Sequence, residues 1–267
     1  MNDKLKILWL GGNHCRHLYY ANSIQEKYKF SGGIIEVREN SLPDPPENIQ
    51  DLDRNNFINH FDERKRCEKK YFGDQDYPKC NLLEVNESEL NSEKTKNFID
   101  EIRPDLALIF GTGMVREPII SSLPENTINL HLGLSPRYRG SATLFWPFYF
   151  LEPNYAGITF HYITDEPDAG DIIHQLTPQL EIGDGIHDVS CKAIISAAND
   201  AIKLIEKFYQ NKTLIKYKQK ATGKNFLTND FKPEHLRMIY NVYNNNIVDY
   251  YINGSLKCRQ PKLIKQF

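Results

Sequence analysis

Residues 128–173 read INLHLGLSPRYRGSATLFWPFYFLEPNYAGITFHYITDEPDAGDII. Asn129 and His131 stand two positions apart at the end of a short apolar run, and Asp168 follows in a loop that contains Gly170. In an extended strand, residues i and i+2 point to the same face, so the Asn129 amide and the His131 imidazole are expected to project together. An amide, an imidazole and a carboxylate are the groups that acyl transfer uses to bind an oxyanion, carry a proton and orient the site.

The composition is that of an ordinary globular protein. The chain has 267 residues, of which 40% are hydrophobic and 25% charged, so it is long enough to bury a sizeable core. The net charge of −2 provides no general positive field and counts against nucleic acid as a partner. A run of lysines near the C-terminus reads as a solvated face, with a patch for an anionic substrate as the alternative (Lys216, Lys218, Lys220, Lys224).

The sequence predicts a cytoplasmic protein without a membrane span. Its first six residues carry charges and lead into a short apolar run, which is typical of a core strand and not of a signal peptide. No apolar stretch approaches the ~18 residues of a membrane helix. The five cysteines are odd in number and form no CxxC pair, which favours a reducing compartment without a disulfide framework. His14, Cys15 and His17 lie close together, but nothing nearby completes a familiar ligand spacing, so no metal site is predicted.

The pattern of strands and helices predicts an α/β fold. Short apolar runs at 6–10, 33–37, 82–85, 106–110 and 127–131 alternate with helical segments, which indicates a Rossmann-like, mostly parallel sheet with helices on both faces. A strand at 156–164, an antiparallel or edge partner within 171–180 and a long helix at 185–209 are expected to follow. Ligands of such sheets bind at the carboxyl ends of the strands.

We divide the chain into a catalytic domain, 1–210, and a short C-terminal appendage, 211–267. The catalytic domain includes a polar insertion, 48–80, whose first part is predicted to be helical and whose role the residues leave open between a lid and an interface. Further helices are expected in four places. One follows Asn13 as its cap, and one spans 87–103 with Ser88 or Asn91 as the cap; the other two, at 141–151 and 232–243, have no assigned cap.

The turn after the first strand reads Gly11-Gly12-Asn13. A dinucleotide fingerprint needs a third glycine and a suitably placed acidic residue, and Glu36 alone does not supply that pattern. Two interpretations remain for this turn. It is either purely structural, or its backbone N–H groups and Arg16 meet an anionic group of the substrate.

The block from about residue 80 to 185 resembles the N10-formyltetrahydrofolate-dependent formyltransferases. That family has an Asn-x-His, a Ser-x-x-Pro-x-x-x-Gly and a later Asp-x-Gly. The counterparts here are Asn129-Leu-His131, then SPRYRG at 135–140, where the serine directly precedes the proline, then Asp168-Ala-Gly170. The family includes methionyl-tRNA formyltransferase, glycinamide ribonucleotide transformylase and the sugar-nucleotide N-formyltransferases.

The resemblance implies that Asn129, His131 and Asp168 form the catalytic set. In this chemistry an uncharged amine attacks the formyl carbon of the co-substrate N10-formyltetrahydrofolate. The Asn129 amide and His131 would stabilise the developing oxyanion. His131, with an ordinary pKa of about 6.5, suits the removal of the amine proton, and Asp168 would hold His131 or a bridging water. Which of these two is the formal base is left open.

The resemblance also implies a folate pocket. The loop after the fourth strand would hold the pterin through Met114, Val115 and Arg116, and the loop before Asp168 would form the other wall. The residues of that second wall are Ile163, Thr164 and Asp165.

The resemblance names a group of possible amine acceptors. We expect a nucleotide-linked amino sugar, which would place the protein in lipopolysaccharide or O-antigen biosynthesis, and we place its binding at Asn13, His14 and Arg16. Another small amine or methionyl-tRNA is the alternative acceptor, although the negative net charge counts against tRNA. A formyltetrahydrofolate hydrolase and a non-catalytic folate-binding protein are the alternatives of other classes. A homodimer is left open, with the aromatic cluster at 145–150 as either core or dimer surface.

Overall fold

The computed structural model describes residues 5–38, 43–219 and 223–267. The strands are β1 (Ile7–Gly12), β2 (Phe30–Glu36), β3 (Leu82–Val85), β4 (Leu106–Phe110), β5 (Thr127–His131), β6 (Tyr138–Gly140), β7 (Ile158–Tyr162), β8 (Ile172–Leu176) and β9 (Lys224–Phe226). The helices are α1 (Cys15–Gln25), α2 (Asp51–Phe72), α3 (Glu93–Ile102), α4 (Ile119–Ser122), α5 (Trp146–Tyr149), α6 (Ile186–Asn211) and α7 (Ile247–Ile252).

Seven strands form the main sheet in the order β3-β2-β1-β4-β5-β7-β8. The strands β1 to β5 are parallel to one another, β7 pairs antiparallel with β5, and β8 pairs antiparallel with β7. The predicted Rossmann-like fold, including the antiparallel partner of β7 at the sheet edge, is therefore confirmed. The parallel arrangement brings the carboxyl ends of β1, β4 and β5 to one edge, and the candidate catalytic residues lie there.

Both faces of the sheet are covered, as the alternation of side chains along β1 shows. Ile7 and Trp9 join the core cluster that contains residues of α1 and α6, whereas Leu8 and Leu10 join the cluster that contains residues of α3 and α4. Because successive side chains of a strand point to opposite faces, a continuous apolar run is what a doubly covered parallel strand requires.

The helix predicted within 48–71 is confirmed as α2. It packs on α1 and α6. It also bonds to the C-terminal part of the chain, because Arg237 Nε donates to Asp53 Oδ1 at 2.6 Å and Asn56 Nδ2 donates to Asn241 Oδ1 at 2.7 Å. The polar insertion therefore contributes a helix that contacts both the core and the C-terminal residues.

Two predicted helices are wrong in detail. The segment 141–151 forms only the single turn α5, because Ala142 and Leu151 have left-handed backbone conformations, with φ of 54° and 58°, that a right-handed helix does not contain. The segment 232–243 contains a 3₁₀ turn, Pro233–His235, and a π turn, Met238–Val242, in place of a regular α-helix.

The predicted caps also differ from the structure. The cap position of α1 is His14, and the Asn13 side chain bonds instead to the backbone of Arg38. Helix α3 begins after Ser92, whose side chain accepts from Thr95 N, and neither Ser88 nor Asn91 takes that place.

The residues after 210 pack closely on the core. Strand β9 pairs with β6, and Phe226, Leu236 and Ile247 share a hydrophobic cluster with Trp146. The last residues bind the edge strand β8, since Gln175 N donates to Ile264 O at 2.7 Å. The division at residue 210 stays a prediction, as does the cytoplasmic location. In the described ranges, no helix combines the length and apolarity needed to cross a membrane.

Candidate active site

Asn129 and His131 lie at the carboxyl end of β5, where β7 runs antiparallel beside it. Asn129 is directly opposite His161 in this pair, and Asn129 Nδ2 lies 3.1 Å from His161 Nε2. His161 Nδ1 lies 2.8 Å from the carbonyl oxygen of Tyr162, which can only accept, so in the neutral ring Nδ1 carries the hydrogen and Nε2 accepts from the Asn129 amide. This contact fixes which end of the Asn129 amide faces the strand β7.

His131 contacts Asp168. Its Nε2 lies 2.9 Å from the carbonyl oxygen of Tyr138 and donates to it, which leaves Nδ1 on the other side of the ring. Nδ1 lies 3.3 Å from Asp168 Oδ1, and the same carboxylate oxygen lies 3.4 Å from His161 Nε2. The structure therefore brings the three predicted catalytic residues together, with His161 as a fourth member.

Hydrogen bonds to both the side chain and the backbone of Asp168 hold this residue in place. Its backbone is left-handed, with a φ of 50°, and Gly140 N donates to its Oδ2 at 3.0 Å. The side chain of Gln219 donates to the carbonyl oxygens of Asp168 and Gly170 at 2.8 and 2.7 Å. A Cβ on Gly170 would lie 1.7 Å from the carbonyl oxygen of Tyr162, so only glycine fits there. These contacts give a physical reason for the Asp-x-Gly pattern.

Burial and charge favour a neutral imidazole beside an ionised carboxylate. Burial lowers the pKa of His131, although the Asp168 charge opposes the shift. Burial works to raise the pKa of Asp168, but His131, His161 and the Gly140 amide outweigh it and lower that pKa to about 2. Near neutral pH, Asp168 is therefore a carboxylate, and His131 has an unprotonated nitrogen available to receive a proton.

Two cavities meet at these residues. The larger has a volume of about 660 Å³ and the smaller about 190 Å³. Asn129, Asp168 and Thr112 line both cavities, whereas His131 lines the larger and His161 the smaller. The candidate catalytic groups thus lie where two ligands could approach each other from opposite sides.

Most of the residues that we predicted to bind the folate line the smaller cavity. Met114, Val115, Ile163 and Thr164 line it. Arg116 and Asp165 are exposed and do not line it, and the backbone N–H of Arg116 donates to Asn91 Oδ1 at 2.7 Å. Glu166 and Pro167, which the sequence did not single out, form part of its wall.

A buried carboxylate fixes the loop beside this cavity. Glu36, at the end of β2, is 0% exposed, and its Oε2 accepts from Gly113 N at 2.6 Å and from Arg38 at 3.1 Å. Gly113 and Met114 line the smaller cavity directly. Glu36 therefore positions a wall of the cavity without lining it.

The larger cavity receives part of the first-strand turn. Arg16 and His17 line it. Asn13 and His14 do not, because the Asn13 side chain bonds to the backbone of Arg38 and the His14 ring stacks on His17 at a centroid distance of 5.2 Å. Of the three residues predicted to bind the acceptor, the structure brings only Arg16 to this cavity.

Sequence reasoning missed the contribution of α2 to the larger cavity. His60, Arg64 and Glu68 line it and are spaced four residues apart, which places them on one face of a helix. That spacing was visible in the sequence, but nothing there showed which element this face would meet. His161 was missed because its role depends on the register between β5 and β7.

Within the described ranges, no group of three or more His, Cys, Asp or Glu residues is arranged to hold a metal ion. The five cysteines, all of which lie in those ranges, form no disulfide.

The sequence and the fold both match known formyltransferases. The formyl transferase family matches residues 52–199, more than half of the chain. The methionyl-tRNA formyltransferase of Treponema pallidum (strain Nichols) is 36% identical over 75 residues, which are 27% of this chain and 23% of that protein. The match therefore spans about a quarter of that relative's length.

Two solved structures share the fold. The phosphoribosylglycinamide formyltransferase of Anaplasma phagocytophilum superposes with a TM-score of 0.55 at 20% identity, over 79% of this chain and 89% of that chain. An N-formyltransferase of Helicobacter canadensis, solved with folinic acid and dTDP-3-aminofucose, superposes with a TM-score of 0.53 at 16% identity, over 88% of this chain and 79% of that chain. The matched residues include Asn129, His131 and Asp168. Because the match covers more than half of the chain, this chain belongs to the formyl transferase family.

Proposed function

We propose that this protein transfers a formyl group from N10-formyltetrahydrofolate to a primary amine, most favourably the amino group of a nucleotide-linked amino sugar. The observation that carries the proposal is the meeting of two cavities at Asn129 and Asp168. A transfer between two bound substrates needs this arrangement, because the reacting atoms must approach one another from separate sites.

We assign the folate to the smaller cavity. Its walls combine the apolar side chains of Met114, Val115 and Ile163 with the loop residues Thr112 and Gly113, and a pocket of that kind suits a planar, polar-edged ring. Bound there, the folate would supply the formyl group. Arg116 and Asp165, which the resemblance also suggested, lie outside this wall and are not part of the proposal.

Asn129 has the right chemistry for the formyl oxygen. One of its N–H groups is directed to His161 Nε2, so the second N–H remains for a ligand. Negative charge develops on the formyl oxygen as the amine attacks, and a fixed donor lowers the energy of that state. We therefore propose Asn129 as the oxyanion donor and His161 as the residue that positions it.

The pair of His131 and Asp168 can receive the amine proton. The reaction forms a bond between the amine nitrogen and the formyl carbon and breaks the bond from that carbon to N10. The amine loses one proton and N10 gains one. Nδ1 of His131 and Oδ1 of Asp168 are 3.3 Å apart, so a proton accepted by either atom would be shared in a charge-assisted hydrogen bond.

The size and lining of the larger cavity fit the acceptor. A volume of about 660 Å³ is within the ~300–1,000 Å³ typical of small-molecule sites. Its walls include the aromatic side chains Phe61, Phe145 and Phe231 and the basic side chain Arg16. Aromatic and basic groups together suit a base-linked, phosphorylated sugar, and the Helicobacter canadensis enzyme of similar fold was solved with such a ligand.

Amine-dependent release of tetrahydrofolate tests the function. Wild-type protein would be incubated with N10-formyltetrahydrofolate alone and then with a panel of nucleotide-linked amino sugars, other small amines and methionyl-tRNA. We expect release only with an amine, most rapidly with an amino-sugar nucleotide. Release without any amine would identify a hydrolase, and tight folate binding without turnover would identify a binding protein. Release with methionyl-tRNA alone would replace the proposed acceptor.

The proposed acceptor indicates a pathway. A nucleotide-linked formamido sugar would serve the synthesis of a surface polysaccharide such as the O-antigen of lipopolysaccharide. A homodimer stays a prediction, and Phe150, at 51% exposure, is the member of the 145–150 aromatic cluster that is available for such a contact.

A further inference from the structure

Two arginines in the larger cavity share one carboxylate. Arg16 and Arg64 both donate to Oε1 of Glu68, the second through Nε at 3.0 Å. The side chains of Arg16, Arg64 and Glu68 are 13%, 21% and 14% exposed, so the group is largely removed from bulk water. All three line the cavity that also contains His131 and Asp168.

This group has an excess of positive charge. Two guanidinium groups face a single carboxylate, which leaves one positive charge without a partner in the group. Burial and the charge of Arg16 lower the pKa of Arg64 to about 10, against the opposing effect of Glu68. A buried, unbalanced cation is costly unless another anion approaches it.

The same group has hydrogen-bond donors to spare. Among the described residues, Arg64 donates to protein only through Nε, so both of its terminal nitrogens remain available, and Arg16 Nε has no partner. His187, which is 6% exposed and lines the same cavity, has an Nε2 atom without a partner in the described part of the chain. Burial lowers the pKa of His187 well below its ordinary value, so this ring is neutral near pH 7.

We propose that Arg64 and Arg16, held by Glu68, bind an acidic group of the amine acceptor, so that the cavity selects amines that carry a phosphate or a carboxylate. This inference rests on the proposed function for its acceptor, but the anion site itself is a property of α1 and α2. The terminal nitrogens of Arg64 match the two oxygens of either group in a bidentate contact. Glu68 acts as a positioning residue that orients both guanidinium groups.

Calorimetric titration of the tetrahydrofolate-bound protein with pyrophosphate and with succinate tests this site. We expect wild type to bind at least one of them. Stronger binding of pyrophosphate indicates a phosphorylated acceptor, and stronger binding of succinate indicates a carboxylated one. Binding of neither anion would overturn the proposal.

Variants of α2 distinguish the anion site from general charge effects. Arg64→Gln should weaken anion binding about tenfold or more, because a charge-assisted hydrogen bond is lost, and Arg64→Lys should weaken it less. Glu68→Gln keeps a side-chain oxygen that can accept from both guanidinium groups and removes the competing negative charge, so it should tighten anion binding. Arg66→Gln is the matched control, because Arg66 lies on the same helix with a 68% exposed side chain paired to Glu63. Equal binding by Arg64→Gln and Arg66→Gln, or weaker binding by Glu68→Gln, would contradict the proposal.

The two proposals can fail separately. If anion binding follows this pattern but no amine is formylated, the formyl transfer is wrong and the anion site stands. The opposite failure is also visible when amines are formylated. If the kcat/KM for acidic amines relative to that for neutral amines is the same in Arg64→Gln as in wild type, the transfer stands and the anion site is wrong. Tetrahydrofolate binding by each variant, measured in a separate titration before the anions are added, shows that the protein is folded.

Discussion

Asn129 and His161 face each other across β5 and β7, with 3.1 Å between Asn129 Nδ2 and His161 Nε2. The carbonyl oxygen of Tyr162 fixes a hydrogen on His161 Nδ1, so in the neutral ring Nε2 is the acceptor for the Asn129 amide. His161 thereby holds the Asn129 amide in one orientation. Since His161 Nε2 also lies 3.4 Å from Asp168 Oδ1, His161 contacts both the proposed oxyanion donor and the carboxylate.

Replacement of His161 should impair catalysis by releasing Asn129. His161→Leu removes the acceptor, and loss of one partner of a buried hydrogen bond costs about 1–3 kcal/mol, so we expect kcat to fall about ten- to a hundredfold. His161→Gln keeps an acceptor and should recover part of the loss. Steady-state kinetics with the best amine measure both. An unchanged kcat in His161→Leu would show that Asn129 needs no such support.

Substitution of Gly140 should displace Asp168. Gly140 has a φ of 87°, and a Cβ there would lie 2.2 Å from the carbonyl oxygen of Phe226, so Gly140→Ala must shift the N–H that donates to Asp168 Oδ2. We expect reduced kcat together with a loss of about 1–3 kcal/mol in unfolding free energy. Gly183→Ala is the control, because Gly183 has a φ of 88° with open space around it. Equal activity of the two variants would contradict the role of Gly140.

Loss of the Glu36 charge should weaken folate binding. Glu36→Gln lengthens or breaks the contact that holds Gly113 N, and the loop beside the smaller cavity becomes less ordered. We expect KM for N10-formyltetrahydrofolate to rise several-fold, with KM for the amine unchanged. Glu84→Gln, at an exposed position on the adjacent strand β3, serves as the control. A rise in both KM values would indicate a general loss of structure instead.

Buried His60 should make the protein less stable in acid. Burial, and next the charge of Arg64, lower the pKa of His60 from 6.5 to about 3. As the pH falls, the unfolded chain therefore binds a proton at His60 before the folded protein does. The contribution of neutral His60 to the free energy of unfolding is fully present above pH 6.5. It is lost as the pH falls toward 3, by about 1.4 kcal/mol per pH unit.

Urea unfolding of wild type and His60→Gln at pH 7 and pH 5 measures this contribution. We expect the variant to lose less stability than wild type between the two values. Identical losses would show that other groups account for the acid sensitivity.

The sequence was sufficient for the main sheet and for three site residues. The apolar runs at β1, β4 and β5 predict buried parallel strands, and the spacing of Asn129 and His131 predicts their shared face, because both follow from local periodicity. The order of Asn129, His131 and Asp168 also resembled a family pattern. These features depend on neighbouring residues and can be read directly from the chain.

Features that depend on distant pairing could not be read in this way. His161 looks like any alternating strand residue until β7 is placed against β5. The face of α2 with Arg64 and Glu68 reads as a solvated helix until it packs beside α1 and α6. The segment 232–243 has helical spacing, yet its final turn is a π turn closed by Tyr243 N on Met238 O. For His161 and for the face of α2, a contact far along the chain decides the outcome.

Transfer of an isotopically labelled formyl group, in a single turnover, tests the central claim most directly. Labelled N10-formyltetrahydrofolate would be mixed with excess protein and amine, and the label would be followed into the formamide product for wild type and Asn129→Ala. We expect the label on the amine nitrogen, and transfer about 10²- to 10³-fold slower in the variant with folate affinity unchanged. No labelled formamide with any amine, or equal rates for the two proteins, would contradict the account.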